Sequence, residues 1–416
     1  MTTSYTKVLV VTSVYPLAET TDRYGSFVHE VIQQVRSPQY KFSVFAPAYK
    51  GNKHQRLEGV SVYRFRYCIK PFEILTHHGD GAPTKVTQSP LFILLSALYI
   101  LLGGLQLFIH CWRIRPDVLH INWPFPHALM AYPAHKLLKI PMVFTFHGAG
   151  LLLGNKFGFI NSLLKWLIPQ AESITANSSF TRNLIHQLTN TPVKIIPYGL
   201  TIKAKPVWNP LPNNPPRVLY VGRLLERKGI RYLIDAMPKV LSEQKAELRI
   251  VGDGDLRQTL ENQALALGLS QNIKFLGFVT NEKLVEEYAN CDVFVLPAIE
   301  DQKGDTEGLG IVMIEALAHQ KPVVASKVGG IVDVVKHNQT GLLVAQKDSQ
   351  ALAKAICQIL ENPDYGQMLG EQGMHDVQTR FGWESLSGKW KQIFSQARHG
   401  QQDQNVQTAV QSRETC

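Results

Sequence analysis

Short apolar runs recur along the chain, each rich in Val, Ile or Phe and each too short for a helix. In the first half they fall at 7–12 (KVLVVT), 40–46, 59–66, 117–122 (DVLHIN), 141–147 (PMVFTFH), 172–177 and 193–197. In the second half they fall at 217–222 (RVLYVG), 248–252, 273–279, 292–297 (DVFVLP), 322–326 and 341–344. Segments of helical periodicity separate them. Strands that are apolar almost throughout belong to parallel sheets covered on both faces. Two such series in one chain predict two doubly wound α/β domains.

Between the series lies KPVWNPLPNNPP, residues 205–216, with five prolines in twelve residues. Such a stretch cannot be a helix or a central strand. It divides an N-terminal domain, 1–205, from a second domain, 206–382. The segment 383–397 (WESLSGKWKQIFSQA) has helical periodicity. The Gln-rich tail 398–416 buries almost nothing and is expected to be disordered.

One stretch departs from this rhythm. LFILLSALYILLGGLQLFI, residues 91–109, carries no charge in nineteen residues, near the length of a membrane span. Strands precede and follow it, and all must pair in one sheet, so it cannot cross a bilayer. It is either a buried crossover helix or a helix partly embedded in a membrane surface. A second segment, 156–166 (KFGFINSLLKW), interleaves Lys with aromatics, as residues at a headgroup boundary do.

Composition narrows the class. With 45% apolar and 18% charged residues in 416, the chain is globular and large enough for two cores. Its five cysteines are scattered, without zinc spacing, which fits a reducing cytoplasm. The first apolar run is short and β-branched, unlike a signal peptide. The net charge of +10 is uneven: residues 1–205 hold 21 Lys and Arg against 8 Asp and Glu, and residues 206–416 hold 22 against 25. The basic half suits anionic lipid or a phosphorylated acceptor. No nucleic-acid module motif is present, so nucleic acid is not an expected partner. Peripheral contact with an anionic membrane through 91–109 and 156–166 is expected.

Ligands of open parallel sheets bind beyond the carboxyl ends of the strands. With two such domains, the natural site is a cleft where both sets of strand ends face each other. Four motifs follow strands. Gly222 allows a tight turn, after which Arg223 and Lys228 flank a short loop suited to a diphosphate. The same residues would also serve as a solvated basic turn. Glu307-Gly308-Leu309-Gly310 opens a helix whose free amides can meet anions and hydroxyls, with Glu315 two turns on. Those carboxylates can accept hydrogen bonds from a sugar and a ribose, or be ordinary helix glutamates. His147 ends a strand and can bind a sugar hydroxyl or leaving phosphate, or simply cap the strand. Gly25 and Ser26 start a helix, as a phosphate-meeting or plain N-cap turn.

In order, GRLLERKG, IVGDGDLR, FLGFV, DVFVLPA, the Glu307-x7-Glu315 segment, PVVASKVGG and TGLLV resemble glycosyltransferase family 4, retaining enzymes of the two-domain GT-B fold. The resemblance runs to about Trp390. It implies that Arg223 and Lys228 hold a donor diphosphate, Glu315 the ribose and Glu307 the transferred sugar. Gly25 and His147 would approach from the first domain, and the final helix would cross back onto that domain. It implies retention of configuration. The insertion 299–306 (IEDQKGDT) resembles a subset tied to exopolysaccharide synthesis. The turn Tyr198–Thr201 lacks the Asp usual in the family, and Gln320 stands where Gly is common. No Asp-x-Asp pair sits at a cleft-facing strand end, so no metal or other cofactor is expected. The expected activity is transfer of a UDP- or GDP-linked sugar to a saccharide or lipid-linked acceptor, in the cytoplasm or at the inner membrane face. The rivals are a GT-B nucleotide-sugar epimerase and a non-catalytic nucleotide-sugar-binding partner.

Overall fold

The computed structural model describes residues 5–17, 25–51, 54–76, 89–148, 150–151, 154, 157–200 and 213–414, the last fourteen by backbone alone. It divides into two compact units. The first comprises 1–177, 181–196 and 386–416; the second comprises 178–180 and 197–385.

The first unit is built on eight strands: β1 (Thr6–Val11), β2 (Tyr40–Pro47), β3 (Gln55–Leu57), β4 (Val60–Phe65), β5 (Val118–Asn122), β6 (Met142–Phe146), β7 (Ser173–Ala176) and β8 (Val193–Ile195). Their spatial order is β3-β4-β2-β1-β5-β6-β7-β8. All pairs are parallel except β3 with β4. The β3 edge strand was not expected: QRL is polar, and a three-residue edge strand needs no apolar signature. Helices α1 (Ser26–Val35), α2 (Pro90–Ile114), α3 (Pro124–Leu138), α4 (Gly158–Leu167) and α5 (Ser179–His186) connect the strands. The central strands are buried because both faces are covered.

The 91–109 segment forms most of α2, and it is neither wholly buried nor free. Its inward stripe is Leu95, Tyr99, Gly103, Leu107 and Cys111, spaced by four residues. At Gly103 a Cβ would lie 2.6 Å from the Met130 methyl of α3, so the glycine lets the two helices close up.

The second unit carries β9 (Arg217–Val221), β10 (Glu247–Val251), β11 (Ile273–Gly277), β12 (Val293–Leu296), β13 (Val323–Ser326) and β14 (Gly341–Val344). The sheet order is β11-β10-β9-β12-β13-β14, all parallel. This is the 3-2-1-4-5-6 order of a doubly wound sheet, with its switch point between β9 and β12. Helices α6 (Ile230–Glu243), α7 (Arg257–Ala266), α8 (Asn281–Ala289), α9 (Ile311–Ala318), α10 (Ile331–Val334), α11 (Ser349–Leu360) and α12 (Pro363–Phe381) complete it.

The boundary lies at Ile196–Pro197, upstream of the proline stretch expected to mark it. Residues 201–212 of that region lie outside the described residues. The physical reason is packing: Tyr198 and Leu200 pack on the second unit's core. The Leu200 amide donates to Phe381 O at 3.2 Å, and Trp383 Nε1 donates to Leu200 O at 2.9 Å.

The last helix, α13, runs Trp383–Glu414, through the tail expected to be disordered. That tail is rich in Gln and has no proline to stop a helix. From Leu386 onward α13 belongs to the first unit, where Leu386, Trp390, Ile393, Phe394 and Ala397 form its buried stripe. Phe394 meets the rings of Phe42 at 5.8 Å and His120 at 5.3 Å. Tyr40 donates to Lys391 O at 3.0 Å.

Phe394→Ala is expected to destabilise the first unit by about 3–5 kcal/mol, through lost burial and a residual cavity. Urea unfolding should show that unit's transition at lower denaturant, with the second unit's transition unmoved.

Candidate active site

In the second unit, the loops after β9 and β12 lie side by side because those strands are neighbours at the switch point. Gly222 follows β9, and its amide donates to Val251 O at 3.0 Å. Arg223 follows, half-buried, its carbonyl accepting from the Tyr220 hydroxyl at 3.0 Å. A single helical turn over Glu226–Lys228 then sets Lys228 just before Gly229. Gly229 has φ 65°, and a Cβ there would stand 1.9 Å from the Pro297 carbonyl oxygen. Only glycine lets this loop lie so close to the chain leaving β12. The Ile299 amide donates to Arg227 O at 2.8 Å and ties the loops together.

Glu307 arrives from the other loop and pairs with Lys228, 79 residues earlier in sequence. Both side chains are nearly buried, at 11% exposed for Lys228 and 12% for Glu307. Arg227, which the motif reading passed over, stands with Nη1 3.6 Å from Glu307 Oε2 and Nε 3.4 Å from Asp305. The insertion 299–306 folds around Asp301. Its carboxylate accepts the amides of Lys303 at 2.8 Å and Asp305 at 2.9 Å, which fixes the loop that presents Asp305 to Arg227.

Charge and burial oppose each other here. Burial alone would raise the Glu307 carboxyl. Lys228, Arg227 and the Leu309 amide outweigh it and hold it below its ordinary value. Burial pulls the Lys228 ammonium below its ordinary value, with Glu307 pulling the other way. Asp305 is raised, mainly by burial and against the pull of Arg227.

Gly308, Leu309 and Gly310 follow Glu307. Gly310 precedes the first residue of α9. The Gly330 amide donates to Glu307 O at 2.9 Å. Glu315 lies two turns into α9 and does not join the ion-pair cluster. It is buried, and its Oε2 accepts from the Tyr288 hydroxyl at 2.8 Å. Tyr288 in turn stacks on His319, ring centroids 5.2 Å apart. Tyr288 gave no signal in sequence, being 27 residues from its partner. Asp253-Gly254-Asp255 is a turn: Asp253 accepts the Gly254 amide at 2.8 Å and Arg257 at 3.2 Å.

Two expected residues lie in the first unit. Gly25, φ 76°, precedes α1, and a Cβ there would lie 2.6 Å from Val14 O. His147 follows β6, half-buried between the rings of Trp123 at 4.4 Å and Phe27 at 5.1 Å. Its Nε2–H donates to Asn122 Oδ1 at 2.9 Å. Burial, with His120 adding to it, pushes the imidazole down to about 3, so it is neutral near pH 7. Asn122 is the positioning partner that sequence reading missed, and it sits at the carboxyl end of β5.

Two family models match the chain. Glycosyltransferase Family 4 covers residues 25–203, and Glycosyl transferases group 1 covers 202–376. An uncharacterized glycosyltransferase of Methanocaldococcus jannaschii is 35% identical over 42% of this chain. The match spans 44% of that relative, so the chain covers less than half its length. Sucrose-phosphate synthase from Thermosynechococcus elongatus superposes with TM-score 0.76 at 22% identity, covering 94% of this chain and 98% of that one. Anabaena HepE, solved with UDP and glucose, superposes with TM-score 0.66 at 19% identity, covering 94% of this chain and all of that one. At these identities the superpositions establish the fold. Two doubly wound units matched by these family models and superpositions make the chain a glycosyltransferase of the GT-B type. The chain belongs to glycosyltransferase family 4.

Glu307→Gln leaves Lys228 buried without its counter-charge and is expected to destabilise the second unit by about 3–5 kcal/mol at neutral pH. The folded carboxyl titrates below the unfolded one, whose value is 4.5. Its contribution is therefore complete above that value and fades as pH falls through the folded one. Denaturation curves should show the gap between wild type and variant constant above pH 4.5 and shrinking as the pH falls below it.

Proposed function

We propose that this chain transfers a sugar from a UDP- or GDP-linked donor to a saccharide or lipid-linked acceptor. Anomeric configuration is retained, and the product belongs to a surface polysaccharide or glycolipid. The observation that carries the reading is the buried Lys228–Glu307 pair at the β9/β12 switch point, with Arg227 beside it and Arg223 on the same loop. Phosphate groups bind at such strand ends. A departing nucleoside diphosphate develops negative charge, and fixed cations stabilise it without reorganising.

In this reading Arg223 and Lys228 receive the diphosphate. Glu307 accepts a hydrogen bond from a hydroxyl of the transferred sugar, and the amides of Gly308, Leu309 and Gly310 bind beside it. Glu307 is no nucleophile: its carboxylate is committed to Lys228. Departure and attack occur on the same face, assisted by the leaving phosphate. Glu315 binds ribose hydroxyls. Gly222 and Gly25 keep the backbone open for the donor. Neutral His147 offers a hydrogen bond to sugar or phosphate. The cations neutralise charge without a metal or other cofactor. The enzyme works in the cytoplasm, peripherally at the inner membrane face, with 91–109 and 156–166 as its membrane-side segments.

Calorimetry with UDP, GDP, ADP and their sugars should yield one preferred base. Arg223→Ala and Lys228→Ala should each lower kcat/KM about 10- to 150-fold, the equivalent of one charge-assisted bond of ~1.5–3 kcal/mol. Unchanged turnover in both would overturn the assignment. Donor binding with no transfer or hydrolysis toward any acceptor would point to the non-catalytic rival. Because His147 is already neutral, kcat/KM should show no His147-dependent break between pH 5 and 8. A break near 6.5 that vanishes in His147→Gln would remove it from this role.

A further inference from the structure

The outer face of α2 carries Leu91, Ile93, Leu94, Leu101, Leu102, Leu105, Ile109 and Trp112, each between 38% and 69% exposed. They form one stripe along six turns, opposite the buried stripe of Leu95, Tyr99, Gly103, Leu107 and Cys111. Exposed Ile69 and Phe72 follow Arg66, whose backbone is tied to α2: Arg66 N donates to Gln106 Oε1 at 3.2 Å, and Gln106 Nε2 to Arg66 O at 2.7 Å. A continuous apolar surface of this kind marks an interaction face.

The helix cannot leave the protein. The Nδ1 of His127 on α3 faces the carbonyls of Asn122 and Trp123, both at 2.9 Å, so Nδ1 carries the proton. Its Nε2 therefore accepts from the Tyr99 hydroxyl at 2.9 Å, deep between α2 and α3. The strands before and after α2, β4 and β5, lie in one sheet. A helix pinned along one stripe and flanked by strands of one sheet lies flat.

Charge selects the occupant. Helices α2, α3 and α4 contain no Asp or Glu, while Arg113, Lys136 and Lys165 lie on them and Arg115 and Lys139 at their ends. From Gly81 to Ala171 the chain has seven Lys and Arg and one acid, Asp117. Trp166 packs on Tyr132 at 4.6 Å, and the Lys136 ammonium lies over the same ring at 5.6 Å, an aromatic and cationic group of the sort found at headgroup level. Two copies meeting through this face would oppose like charges.

We infer that α2 lies in the plane of an anionic bilayer, its outer stripe among the acyl chains and the cations of α2, α3 and α4 at the headgroups. This deepens the proposed membrane-side location and rests on that reading. The test uses the full chain and phosphatidylcholine vesicles with and without phosphatidylglycerol. Wild type should co-sediment with the anionic vesicles and release at high salt. The triple variant Ile93→Gln, Leu101→Gln and Leu105→Gln, all exposed sites, should bind about tenfold less or weaker, with its urea midpoint unchanged. Brominated lipid should quench a fluorescence component that Trp112→Phe removes. Equal binding of the triple variant, an unquenched Trp112 or no vesicle binding by wild type would overturn the inference. So would a wild-type dimer, seen by light scattering, that the triple variant dissociates. Donor affinity measured on the same samples keeps the two readings apart: vesicle binding without donor binding sinks the proposed reaction and leaves the surface standing.

Discussion

The second unit is organised around one ion pair, Lys228 with Glu307, held where water is nearly excluded. Neither residue has its partner nearby in sequence. They meet because β9 and β12 are neighbours in a sheet whose order reverses between them. Burying two charges has a desolvation penalty that their attraction must offset, so the geometry has to be tight. Several features serve that tightness. Gly229 removes the Cβ that would strike Pro297, Arg227 adds a second cation, and the Asp301-centred loop places Asp305 against Arg227. Such a pair contributes more to positional definition than to stability. It leaves a charged carboxylate and a charged ammonium fixed at a strand-end site, the state that a polar, anionic ligand needs to find ready.

The strands were legible because burial on both faces leaves little room for polar residues. All thirteen expected runs contain a strand, within about two residues at each end. What escaped was whatever did not depend on burial. The β3 edge strand is polar. The domain boundary follows the packing of Tyr198 and Leu200 rather than the prolines, since proline reports where secondary structure stops, not which core a residue joins. Helix α13 continues into the Gln-rich tail, whose low apolar content signals little packing while its sequence retains helix propensity.

The candidate site was legible as residue types in loops after strands, and illegible as pairs. Spacing pointed to Lys228 and Glu307 separately. It could not show that they touch, nor that Glu315 would be held by Tyr288. Arg227 lay within the motif yet was passed over, because three consecutive polar residues, Glu226-Arg227-Lys228, look alike until a turn assigns each a direction. Its position at a strand end marks His147 as a candidate hydrogen-bonding group and leaves its protonation state open. Its surroundings of Trp123, Phe27 and Asn122 make it a neutral one.

The two halves handle charge in opposite ways. The second unit buries its critical cations beside acids, so they act only on a ligand that reaches the strand ends. In the first unit the buried histidines His120 and His127 and the half-buried His147 are held neutral by loss of solvation, at about 3 to 4. Its cations on α2, α3 and α4 have no acids on those helices to cancel them. An uncompensated positive face acts over a Debye length, about 8 Å at physiological salt, and so addresses surfaces rather than single groups. A compensated buried pair addresses single groups and is nearly invisible at range. The uneven net charge of the sequence is the trace of that division, and in the proposed membrane reading the exposed stripe on α2 gives the long-range attraction a short-range contact to end on.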